Sequence, residues 1–190
     1  LRNWNYDQLK LVRVIEMGKE ILSPIEVKDT FLSDKDFNSI QDVILGNEFP
    51  WYYNEFITTD EEKKIGKEWL DDYQFIHIFY RDNQVSSDLF RILAPLVNKI
   101  KPVSILRVKA NLGPRRENIN KSSLHCDGDH SWGKREGAKG WYTSIFYLNT
   151  NNGYTYFEDG SKIHSRENRL VTFPCSMRHA GASLFSSLFS

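Results

Sequence analysis

His125-Cys126-Asp127 sets an imidazole and a carboxylate two residues apart. In extended backbone, side chains at i and i+2 project from one face, while Cys126 between them projects from the other. A further His from a later strand would complete a two-His, one-carboxylate facial triad. That set leaves metal positions open and suits non-haem Fe(II) oxygenases. His179 is the candidate, because it follows a strand expected at Arg169–Phe173 and the turn at Pro174. Open positions are what oxygenase chemistry requires: a co-substrate has to chelate the iron while oxygen still binds. The pattern has other uses. Short His/Asp combinations often only satisfy hydrogen bonds, the same ligands suit zinc, and Asp129 and His130 offer a different ligand set.

Holding such a triad takes strands, and the second half of the chain has their pattern. From Val103 onward Leu106, Val108 and Ala110 alternate with Arg107, Lys109 and Asn111, the period of a half-buried strand, with Arg107 and Lys109 expected as solvated charges. Trp141 to Asn149 is another aromatic, β-branched run, and Tyr147 shares a strand face with Trp141, Thr143, Ile145 and Asn149. Short strands are expected at Tyr154–Phe157, Lys162–His164, Asn168–Phe173 and near His179, separated by turns at Asn151-Asn152-Gly153 and Asp159-Gly160. Many short, closely spaced strands indicate a sandwich or jelly-roll barrel.

The first half reads mainly as helices. Ser33 caps a helix whose Phe37, Ile40, Val43 and Ile44 share a face, with Leu32 stapling onto Phe37 and Gly46 at the stop. Thr59 and Glu62 form a capping box for a second helix. Asp88 to Ile100 presents Leu89, Leu93, Leu96, Val97 and Ile100, with Pro95 expected to kink or break it. Phe75–Tyr80 is β-prone, and His77 within it reads as a packing residue.

In order along the chain, RVKANLGPR, HCD, SIFYLNTNNGYTYFEDG and NRLVTFPCSMRHAG resemble the double-stranded β-helix core of the Fe(II)- and 2-oxoglutarate-dependent oxygenases. The similarity is to the prolyl-4-hydroxylase-like branch, closest to its phage and viral versions, and FPWYYNEF and FIHIFYRD resemble the helical N-terminal half of the phage proteins. The resemblance spans roughly residues 25–182. It implies one α+β domain over 1–190: helical support at about 25–102, a jelly-roll core at 103–182 and an atypical tail at 183–190. It implies His125, Asp127 and His179 as iron ligands, with Tyr147 and Asn111 facing 2-oxoglutarate. It also implies hydroxylation of a prolyl or similar residue, consuming 2-oxoglutarate and O2 and releasing succinate and CO2; the substrate would be a peptide, a protein or a small molecule.

One departure stands out. Relatives anchor the remote carboxylate of 2-oxoglutarate with an Arg or Lys about ten positions after the second His, and Ser183 to Ser190 contains neither. A buried carboxylate without a cationic partner is costly, so the expectation is either a truncated or replaced last strand or an anchor from another group, for which Arg107 and Lys109 on the first core strand are conceivable substitutes. A metal-binding jelly roll impaired in turnover, or a zinc hydrolase using the same ligands, are the alternative expectations.

Composition bounds the remainder. The 190 residues carry 25 basic and 25 acidic side chains, a balance that argues against nucleic acid or anionic membrane as partner. The 12 Phe, 9 Tyr and 5 Trp argue for a packed core rather than disorder. Two cysteines are too few for a disulfide framework. No stretch approaches the roughly 18 apolar residues of a membrane helix, and the N-terminal residues lack the apolar core of a signal peptide. A cytoplasmic location, that of the host if the protein is viral, is the expectation.

Overall fold

The helix expected after Leu32 forms as α1 (Asp34–Ile44). Ser33 has extended backbone, and its hydroxyl accepts the Asp36 N–H at 3.2 Å. Asp34 and Asp36 place negative charge at the positive end of the helix. Phe37, Ile40 and Ile44 are buried with Leu32 in one cluster. Val43, expected on that face, is 38% exposed. It lies one step of about 100° from Ile44, outside the arc that meets the sheet. The Asp88–Ile100 segment is divided: a 3₁₀ helix (Asp88–Leu93) is followed by α2 (Ala94–Ile100). Pro95 falls in the first turn of α2, where its missing N–H would have had no partner, so it opens a helix instead of kinking one.

The computed structural model describes residues 6–16, 24–55, 73–114, 120–127 and 140–183. The helix expected from Thr59, together with Asp129 and His130, lies outside the described residues, as does most of the 183–190 tail. The strands are β1 (Tyr6–Glu16), β2 (Glu26–Lys28), β3 (Tyr52–Asn54), β4 (Gln74–Arg81), β5 (Gln84–Val85), β6 (Ser104–Pro114), β7 (Asn120–Lys121), β8 (Trp141–Tyr147), β9 (Tyr154–Phe157), β10 (Lys162–His164), β11 (Arg169–Pro174) and β12 (His179–Ser183). Among the described residues they form two antiparallel sheets in a mixed α+β fold. The larger runs β2-β11-β8-β1-β6-β4-β3 with β5 hairpinned onto β4; the smaller runs β10-β9-β12-β7.

The sequence pattern gave no place to the residues before 25, yet β1 is central in the larger sheet. It pairs with β6 on one side and β8 on the other, so neither is left with an open edge. The N-terminal segment is also richer in strands than the helical reading allowed: β2, β3, β4 and β5 all join this sheet.

Period-two alternation sorts the side chains onto two faces of the sheet. Val108, Ala110 and Leu112 of β6, with Phe146 and Leu148, pack against α1 and the 88–100 helices. Ile145 and Tyr147 of β8 and Val171 and Phe173 of β11 face the other way and meet Phe157 of the smaller sheet. Two polar devices fix the strand ends. Asn168, at φ 57°, donates its backbone N–H to the Tyr147 carbonyl, while its side chain bonds both backbone groups of Leu32. The Arg169 guanidinium grips both Asp29 oxygens, at 2.5 and 3.0 Å, and donates to the His164 carbonyl, tying the β2 edge to β10. That contact holds the Asp29 carboxyl below its ordinary range.

Candidate metal centre

His125 and His179 are fixed by the backbone. Each donates its N–H to the other's carbonyl, at 3.0 and 2.9 Å, which makes an isolated antiparallel bridge beside β12. The H-x-D segment is therefore not part of a regular strand, as its spacing suggested; it is a short extended piece after β7, held at this one bridge. The ring centroids lie 4.8 Å apart. Nδ1 of His179 faces the Met177 carbonyl at 3.0 Å, and Nδ1 of His125 faces that of Ser123 at 3.3 Å. With Nδ1–H donated to a carbonyl, each ring has Nε2 left for a metal, the arrangement that fixes the tautomer of ligating histidines.

Asp127 completes the group. Its side chain is 5% exposed, with Oδ2 lying 3.4 Å from Nε2 of His179. The ligand atoms of His125, Asp127 and His179 all fall within 4.8 Å of one another. Two further residues hold the carboxylate: Thr143 Oγ1 donates to Oδ2 at 3.0 Å, and Arg107 Nη2 donates to Oδ1 at 3.2 Å. Burial is the largest single influence on Asp127 and pushes its carboxyl up. The His179 hydrogen bond and charge, with His125 and Arg107, outweigh burial and hold it well below the usual range. The carboxylate is thus ready as an anionic ligand.

Arg107 corrects an expectation. Read as a solvated charge, it is 31% exposed and paired with Asp127, with its Nε buried and unpartnered. Lys109 is also partly buried. The alternation put these residues opposite a hydrophobic face, but the far face of β6 meets the candidate metal site instead of solvent. Thr143 had a legible signal, since it shares the Tyr147 face of β8.

Tyr147 and Asn111, expected to face the co-substrate, are both buried. The Tyr147 hydroxyl pairs with Thr155 Oγ1 at 2.6 Å, and burial pushes its phenol up to about 12. Asn111 is 8% exposed with Oδ1 unpartnered. His77 is buried, its Nδ1 2.9 Å from the Pro50 carbonyl, as a packing residue would be. His164 is exposed.

The two thiols differ sharply. Cys126 is half-buried and donates to the Ser176 carbonyl. Cys175 is 2% exposed, and burial, reinforced by the charges of Asp127 and Cys126, raises its thiol to about 11. Iodoacetamide at about pH 8 is expected to label Cys126 and spare Cys175 in the native protein, because the thiolate is the nucleophile. Mass spectrometry of the labelled chain reads this out, and equal labelling of both would contradict the burial of Cys175.

No family model matches the chain, and neither does any curated protein or solved structure. The geometry of the site therefore carries the functional reading.

Proposed function

We propose that this chain is an Fe(II)- and 2-oxoglutarate-dependent dioxygenase on a double-stranded β-helix core, hydroxylating a prolyl or similar residue. The observation that carries this reading is the convergence of His125, Asp127 and His179. The donor set fits the metal: two imidazoles backed by carbonyls, and a carboxylate held by Thr143 and Arg107. Two sheets meeting face to face around Ile145, Tyr147, Phe157, Val171 and Phe173 are consistent with a jelly roll.

Iron bound there would supply, with 2-oxoglutarate and O2, the oxidative decarboxylation that yields succinate, CO2 and a hydroxylated product. The protein's own part is to bind and orient. His125 and His179 present Nε2 from a backbone bridge that fixes their separation. Thr143 and Arg107 hold the Asp127 carboxylate in place by donating to its two oxygens. Phe173, its ring centroid 4.6 Å from that of His179, and Phe157 pack against the inner side of the site.

Incubation of the chain in air with Fe(II), 2-oxoglutarate and proline-containing peptides is expected to yield succinate. None should form when Asp127→Asn replaces the charged ligand. Absence of succinate from iron-loaded protein would overturn the proposal, and turnover with zinc in place of iron would point to a hydrolase. Among the described residues no helix is long and apolar enough to cross a membrane.

A further inference from the structure

The chain reaches His125 through a change of register. Lys121 of β7 stands opposite Ala182, and His125 stands opposite His179. The H-x-D side thus takes four steps where β12 takes three. Residues 121–125 contain one more residue than the strand they face, which is the condition for a β-bulge. A bulge disrupts the ladder and bends the strand, and bulges recur beside sites where a side chain has to be aimed. Inside this one, the Ser122 N–H donates to the Gly181 carbonyl at 3.0 Å. Three successive carbonyls of the bulge meet side chains. Tyr156 of β9 donates its hydroxyl to that of Ser122, Nδ1 of His125 faces that of Ser123, and Arg178 Nη2 donates to that of Leu124 at 3.2 Å.

We propose that the 121–125 bulge aims His125 at the metal, and that Arg178, assisted by Tyr156, is the positioning residue that holds the bulge in this form. The inference rests on reading the triad as a metal centre and adds what sets its geometry from outside. Arg178 precedes His179 and Leu124 precedes His125, so one guanidinium joins the positions before both imidazoles. Arg178 is itself located twice by Glu158, just after β9. Its Nη1 pairs with Glu158 Oε1 at 3.1 Å, and its carbonyl accepts the Glu158 N–H at 3.1 Å. Tyr156 meets the bulge at a second point, with Lys121 Nζ 5.9 Å from its ring centroid. The two side chains of the Arg178–Glu158 pair are 47% and 60% exposed. An ion pair so exposed adds little to stability, so removing it separates aim from folding.

Calorimetric titration of the full chain with Mn(II) tests this without turnover. Arg178→Met is expected to weaken Mn(II) binding by about tenfold, the lower end of the range for losing a group that orients a ligand. Its urea midpoint should match that of wild type. Arg178→Lys should regain part of the affinity, because an ammonium can still donate to the Leu124 carbonyl. The visible d–d absorption of the Co(II)-loaded chain should shift in Arg178→Met as the angle between the imidazoles changes. Cys126, beside His125, provides a metal-free readout: iodoacetamide should label it faster in Arg178→Met than in wild type. Tyr156→Phe keeps the ring and removes the hydroxyl, and it should move each readout in the same direction, which gives a second reading if the Met variant folds poorly. Wild-type affinity and Co(II) absorption in both variants would overturn the positioning role while leaving the metal centre standing. A loss of affinity matched in both by a lower urea midpoint would overturn it too, since the two residues would then be merely structural. Wild-type protein that takes up no Mn(II) would overturn the metal centre and the aiming role with it.

Discussion

His179→Ala is expected to lower affinity for Fe(II) or Mn(II) by more than a hundredfold, since even loss of a group that merely supports a ligand costs about 10–100-fold. Metal content after dialysis measures it. His179 also contributes to the core: it is 3% exposed, and its ring packs 4.6 Å from Phe173. The Ala variant is therefore expected to lose stability as well as a candidate ligand. Asp127→Asn separates the two effects, because it keeps the shape and removes the charge. It too should lose the metal, while leaving the Arg107 guanidinium without its carboxylate partner. His164→Ala, at an exposed position, should change neither metal content nor stability. Unchanged metal stoichiometry in both His179→Ala and Asp127→Asn would show that the triad is not the metal site.

Phe146→Ala is expected to destabilise the fold by about 3–5 kcal/mol, the range for removing a buried aromatic ring. Phe146 is 1% exposed on the helix-facing side of β8. Its ring meets Phe31 and Phe37 edge-on, with centroids 6.4 and 6.0 Å away. Deleting it opens a cavity at the point where α1 docks on the sheet, and rigid strand neighbours cannot close that cavity. Urea denaturation measures the loss. Val43→Ala, on the exposed side of α1, should stay within about 0.5 kcal/mol of wild type. A loss of less than about 1 kcal/mol at Phe146 would mean that the cluster it occupies is not the docking core.

These two variants mark what local pattern can convey. The cap at Ser33, the limits of β9 and β10 and the inward set of Ile145 and Tyr147 follow from residue type and period, because each is decided within a few residues. The mixed α+β class followed in the same way. Val43 and the Pro95 junction did not, because which part of an apolar arc is covered depends on the partner surface. Arg107 is the clearest case. Alternation showed that it opposed a hydrophobic face, but not that the opposite face would be closed over by residues 120–127 and the smaller sheet.

By itself, the sequence determined the candidate ligand types, the alternation of the strands and the helix cap at Ser33. Tertiary structure alone decided that His125 and His179 share a backbone bridge, that Thr143 and Arg107 hold Asp127, and that β1 lies between β6 and β8. The physical reason is range. Propensity and period act over one turn or one hairpin, whereas β1 pairs with β6 and β8 only when distant segments settle their register.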